Sequence, residues 1–368
     1  MFSLGPPIGG AFAVTAAGWR WSFYLNLIVT VVFVPVFWFL LPSCRTSAPS
    51  GSVWTRICHI DILGCVLFAG ALTSSLMVLS FGGALYAWSS RVIIGLFCCT
   101  CALWLLFIVQ QATTTLTKKR TRILPIHILK SLEMWLLIIQ IGCSIGVLFI
   151  TIFYIPLYFQ FVRGESAIRS GVHLLPYLFT TVVAMLISGR LIMSYGHYKL
   201  WFVAGSSLTL IMSACLYTIE VDTPHGRIYA YLIIGGIGCG LYSMNAGPVM
   251  AARVAKEYVS DASAIFACVD TLCGTLAVGV TNSIFINQAT SNIQKVLPGT
   301  PRATVQDAIA GVGASLTDQL SPQLKFEGLQ AVLNAIKDAW VQMIATAALS
   351  LVLSLFLRKG RLSELSRS

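Results

Sequence analysis

Residues 5–27 read GPPIGGAFAVTAAGWRWSFYLNL. No charged side chain occurs before Arg20, and the run up to Gly18 is apolar and glycine-rich, as the inside of a membrane helix is. Gly5 and Gly9 stand four apart on one helical face, where a neighbouring backbone can come close. Pro6 and Pro7 remove backbone donors and bend the helix. A second apolar run starts at Trp21, one residue past Arg20. Lacking a basic leader and running directly into further apolar sequence, the start reads as a partial membrane segment and not as a signal or transit peptide.

Composition extends that reading to the whole chain. The 368 residues are 57% hydrophobic and 10% charged, with a mean hydropathy of +0.83. A soluble domain carries about a quarter charged residues, so the class is an all-α polytopic membrane protein. The net charge of +11 comes from basic residues between apolar runs and not from one face, so lipid headgroups are expected to meet it and no nucleic acid is. The eleven cysteines fall in apolar runs or in expected cytoplasmic loops (Cys44, Cys58), a pattern that argues against a disulfide framework.

A span needs roughly 20 apolar residues to cross about 30 Å of hydrocarbon. Ten segments follow, the first one partial: about 2–17, 21–41, 61–80, 91–110, 134–157, 172–193, 200–219, 228–250, 263–286 and 338–357. With the C-terminus cytoplasmic, fifteen Lys and Arg lie inside against nine outside, and four of the nine lie in the long loop 287–337. Apolar residues at helical spacing around Val305, Ile309 and Val312 predict short amphipathic helices in that loop, on the outer rim.

The GPPIGG run, together with GWRWSFYLNL at 18–27, resembles the antiporter motif on the fifth helix and the start of the sixth in the major facilitator superfamily, in its fungal fourteen-helix drug:proton antiporter branch. YIPLYFQFVRGESAIRSGVHLLP at 154–176 is similar to that branch's connection between helices nine and ten, and IFIN at 284–287 resembles the end of its thirteenth helix. The resemblance covers residues 5 to about 358. It implies that the ten segments are helices five to fourteen of a fold whose first four helices are absent, an N-terminal truncation. Residues 1–42 are then the remnant of the N-terminal half, 43–133 the cytoplasmic linkers and two joining helices, 134–357 the C-terminal six-helix half, and 358–368 a cytoplasmic tail.

SGRLIMSYGHYK at 188–199 resembles a degenerate copy of the family's cytoplasmic loop motif. Gly189 and Gly196 would permit close helix approach there, and Arg190 and Lys199 would sit at the surface beside an acid. The antiporter motif is assigned to Gly5, Pro6, Gly9 and Gly10. Polar groups at membrane depth are costly and mark candidate cavity or proton sites. Asp270, two turns into its segment, leads them; Asn245, Gln140 and Tyr154 follow, the last two fourteen residues apart and so on one face. The family commonly carries glutamine where Asp270 stands, and Cys273 replaces a glycine expected just after it, which puts close packing there in question. Asp61 and Glu133 begin segments, where a carboxylate complements the helix dipole.

No cofactor or metal is expected. The cysteines at 98, 99 and 101 are mid-span without histidine at ligand spacing, and the five histidines are scattered. There is no P-loop, dinucleotide fingerprint, GxSxG or HExxH, so the chain does not read as an enzyme. The resemblance implies a secondary active efflux transporter for a hydrophobic small molecule (secondary metabolite, toxin or drug), coupled to protons, in the plasma membrane or alternatively the vacuolar one. Two other readings compete with it. One is a truncated, non-transporting remnant or incomplete gene model, whose missing helices another chain would replace. The other is a membrane receptor or scaffold.

Overall fold

A computed structural model describes residues 5–14, 18, 20–40, 61–113, 123, 128–310 and 322–358. Cys44 and Cys58, the basic residues at 45, 56, 118–120 and 122, Val312 and the tail beyond Arg358 lie outside the described residues. Thirteen α-helices occur among the described residues: α1 Gly5–Val14, α2 Trp21–Phe39, α3 Ile62–Phe81, α4 Arg91–Thr113, α5 Leu132–Phe161, α6 Ala167–His173, α7 Leu175–Tyr195, α8 Tyr198–Tyr217, α9 His225–Tyr242, α10 Ala246–Ala252, α11 Val259–Val296, α12 Arg302–Ala310 and α13 Pro322–Phe356. Nine stretches of these are long and apolar enough to span a membrane, with α6 and α7 forming one and α9 and α10 another. The short first segment is the ten-residue α1.

Six spans form the main bundle, and two apolar clusters fill it. One groups Tyr154, Tyr158 and Phe159 of α5 with Tyr177, Leu216, Leu232 and Trp340. The other groups Leu137 and Ile141 of α5 with Tyr198, Phe202, Tyr242 and Met250. Helix α9 is the inner member. Gly236 and Gly240 turn toward α7, and Gly238 meets Gly205 of α8, so these glycines are where helices touch. A Cβ at Gly238 would stand 2.9 Å from the Gly205 carbonyl oxygen. By contrast α2 buries no residue, with Trp38 and Phe39 about four-fifths exposed, an apolar surface suited to lipid.

Helices α3 and α4 pair as a hairpin on α11. Asp61 caps α3 by accepting from Gly64 N at 2.8 Å, the dipole role expected of it. It also accepts from Gln110 and Gln111 of α4 at 3.0 and 2.7 Å, and all three are buried. At the other end the hairpin turn reaches α11 and α12. Asn287 Nδ2 donates to the Gly82 carbonyl at 3.3 Å, while Arg302 and Gln306 donate to that of Gly83 at 2.9 and 3.1 Å.

Those contacts correct the reading of IFIN as a helix end. Asn287 lies within α11, which runs on to Val296, and α13 starts at Pro322. Backbone hydrogen bonding continues through polar residues once the hydrocarbon is left behind, which hydropathy does not register. At about 1.5 Å per residue, α11 is about 57 Å long. The stretch 287–337 is therefore helical at both ends, with α12 between them. Val305 and Ile309 of α12 are buried in the bundle's cluster and do not lie on an outer surface.

Candidate functional site

A cleft of about 450 Å³ opens between α3, α5 and α11. Leu76 and Ser80, Phe149 and Phe153, and Asp270, Gly274, Thr275 and Asn282 line it. Asp270 is half-buried and supplies the one carboxylate of this lining. The wall behind it is tight. Cys273 packs where α5 carries Gly142, whose added Cβ would lie 2.8 Å from the Cys273 sulfur, and Gly274 abuts Phe149. Close packing at Cys273 thus survives the change from glycine, because the space has moved to the partner helix.

The other membrane-depth candidates do not join Asp270. Gln140, fully buried, donates from Nε2 to the Ser350 carbonyl at 3.1 Å and accepts from Ser350 Oγ at 3.0 Å, which fastens α5 to α13. Tyr154 is also buried and meets Phe285 edge-to-face, with centroids 5.8 Å apart. Both share a face of α5, as their spacing indicates, but that face is turned into the bundle core. Asn245 sits at the break between α9 and α10. Its Nδ2 donates at 2.8 Å to both the Leu241 carbonyl and Ser188 Oγ of α7, so it re-satisfies backbone freed by the break.

Of the antiporter-motif residues, Gly10 makes the close approach and not the Gly5–Gly9 pair. A Cβ at Gly10 would lie 2.8 Å from the Ala167 carbonyl of α6, whereas none of the described atoms comes within 4 Å of one added at Gly5 or Gly9. The side chains of Pro6 and Pro7 lie outside the described part. In the loop-motif echo, Gly196 is buried. It ends α7 in the left-handed conformation, φ 73°, with its N–H on the Ile192 carbonyl. Gly189 lies 3.6 Å, measured from an added Cβ, from Asn245 Oδ1. Arg190 is exposed, and Lys199 donates to the Leu355 carbonyl at the end of α13, a helix terminus where an acid was expected.

Two polar clusters mark the opposite ends of the bundle. At one, both guanidinium Nη atoms of Arg253 meet the Glu133 carboxylate at 2.6 Å. Tyr198 bridges them: its hydroxyl accepts from Arg253 at 2.6 Å and donates its one proton to Glu133 Oε1 at 2.6 Å or to the Arg358 carbonyl at 2.9 Å. At the other end, Glu165 Oε2 is 2.5 Å from His173 Nε2, and Oε1 is 3.2 Å from His225 Nε2. Burial raises the Glu165 carboxyl, but hydrogen bonds from His225 and His173 and their positive charge outweigh it and leave the group below its ordinary value. Sequence reading found neither cluster: Glu133, Tyr198 and Arg253 are dozens of residues apart, and Glu165 and His173, though eight apart, meet His225 only through the fold.

The spans and the bundle define an integral, multi-pass membrane protein. The profile of the Major Facilitator Superfamily matches residues 61–278, and the chain belongs to that family. It is 36% identical over 359 residues to the MFS-type transporter pgmG of Aspergillus terreus, covering 98% of this chain and 64% of that protein. It is 35% identical to the efflux pump alnA of Emericella nidulans and 34% to the efflux pump patC of Aspergillus clavatus, covering 98% and 96% of this chain and 65% of each relative. The chain therefore spans a little under two thirds of the length of these relatives.

Proposed function

We propose that this chain is the greater part of a fungal-type exporter of hydrophobic small molecules, such as a secondary metabolite or toxin, driven by a proton gradient. The observation that carries this reading is the match of nearly the whole chain to proteins named as efflux pumps. In this reading the Glu133 end and the C-terminus face the cytoplasm and the Glu165 end faces outward, in the plasma membrane. Residues 134–357 act as the C-terminal half of an alternating-access machine, with α3 and α4 as joining helices.

The cleft supports a division of labour. In this reading Phe149, Phe153 and Leu76 of the lining meet the substrate, and Asp270, the carboxylate among the lining residues, exchanges the proton. A neutral, protonated Asp270 leaves the cleft apolar enough for a lipophilic guest, whereas an ionised one does not, so loading of one disfavours loading of the other.

Purified chain reconstituted into liposomes tests this, with a lipophilic dye as probe and an imposed pH gradient. Gradient-driven dye movement is expected, and Asp270→Asn should bring it to the level of protein-free liposomes while leaving the folded, monodisperse fraction unchanged. Dye movement indifferent to the gradient, or unaltered by Asp270→Asn, would overturn the assignment.

A further inference from the structure

We propose that Glu165, His173 and His225 form a zinc-binding site at the end of the bundle opposite Glu133. Their ligand atoms all lie within 4.8 Å of one another, although the residues come from the 162–166 turn, the end of α6 and the start of α9. Of the other three histidines, His197 sits at the far end of the bundle, and His59 and His127 lie outside the described residues. The scatter seen in the sequence therefore hides a convergence.

The geometry is close to what a tetrahedral ion asks. Zinc holds nitrogen and carboxylate oxygen at about 2.0–2.2 Å, which sets ligand atoms about 3.3 Å apart. The separation of His225 Nε2 from Glu165 Oε1, 3.2 Å, is about that value, while His173 faces the other carboxylate oxygen, Oε2, so one small turn of the carboxylate presents a single oxygen to both imidazoles. The His173–Glu165 separation of 2.5 Å has to open by under about 1 Å, and Glu165 stands on a turn beside exposed Gly164 and Ser166, where its carboxylate can swing. Zinc then replaces the protons between the imidazole Nε2 atoms and the carboxylate, and water completes the fourth position.

Two further observations show that the imidazoles are set in place. Both stack on one ring, Phe159, with centroids 4.1 Å away for His173 and 5.6 Å for His225. His173 Nδ1 is hydrogen-bonded to the Tyr229 hydroxyl, which leaves Nε2 as the ligand atom. Ligating histidines in metalloproteins are held by such a bond to their second nitrogen. Zinc here cross-links the 162–166 turn, α6 and α9, so it stabilises the fold wherever it binds the folded chain alone.

The test uses the full chain in detergent, stripped with chelator and dialysed against zinc chloride. One zinc per chain is expected by atomic emission, with Tm raised by roughly 5 °C at a free zinc about a hundred times Kd and the rise reversed by chelator. Absorption spectroscopy at the zinc edge should show two imidazoles and a carboxylate near 2.0 Å. His225→Ala, at a half-exposed position, should lose both stoichiometric zinc and the Tm rise, whereas His197→Ala keeps them. Tyr229→Phe should weaken binding by about 10- to 100-fold. Absence of the Tm rise in the wild type, a zinc shell without imidazole, or undiminished zinc in His225→Ala overturns the site.

Discussion

Arg253→Ala is expected to destabilise the chain by about 3–5 kcal/mol, read as a fall in Tm of roughly 10 °C in detergent. The side chains of Arg253 and Glu133 are only 9% and 13% exposed, so each was taken out of water when the bundle formed. A 2.6 Å hydrogen bond from Nη1 and a 2.6 Å ion-pair contact from Nη2 offset that desolvation, and removing the guanidinium leaves a buried carboxylate with Tyr198 as its remaining partner among the described residues. The ion pair also ties the start of α5 to the end of α10, and Tyr198 adds the start of α8 and the Arg358 carbonyl. Loss of one side chain therefore loosens four helix termini together. Glu133→Gln/Arg253→Gln keeps hydrogen-bonding shape without net charge and should recover a large part of the loss. A Tm fall of under 2 °C for Arg253→Ala would show that the pair is solvated and carries little.

What could be read from the sequence followed the physics each signal reports. Hydropathy found the nine spans that occur among the described residues, because a bilayer demands about 20 apolar residues wherever a helix crosses. It misplaced the ends of α11 and α13, because helix propagation beyond the membrane depends on backbone bonding and not on apolarity. Glu133 read as a complement to a helix dipole, a local account that its real partner, 120 residues away, replaces. Gln140 and Tyr154 read as cavity candidates but are buried in the bundle, because a polar group on a membrane helix looks alike in sequence whether it faces a cavity or a neighbour's Ser350. The exception is Asp270, which does line the cleft. Gly142 and Cys273 make the same point from the other side: the cysteine sulfur fills the space that the glycine of the partner helix leaves, visible only once the two helices are paired.

That pairing logic sets up the second large effect. Gly238→Ala is expected to lower Tm, whereas Gly95→Ala, the same change in another spanning helix, should raise it. Alanine improves helix propensity by about 1 kcal/mol at either place. At Gly95 of α4, none of the described atoms lies within 4 Å of an added Cβ, so the gain stands alone. At Gly238 the Cβ meets Leu208 Cβ at 2.7 Å, Thr209 N at 2.8 Å and the Gly205 carbonyl oxygen at 2.9 Å. Backbone atoms cannot rotate away as a side chain does, so α8 and α9 have to separate, with an overpacking penalty of about 1–3 kcal/mol or more. Gly205→Ala should behave alike, since its Cβ would meet the Gly238 carbonyl at 2.7 Å, and Gly238→Val should leave little monodisperse protein. Because both alanines strain one contact, the Gly205→Ala/Gly238→Ala double variant should lose less than the sum of the singles. Strict additivity, or a Gly238→Ala as stable as wild type, would mean that α8 and α9 do not approach at this seam.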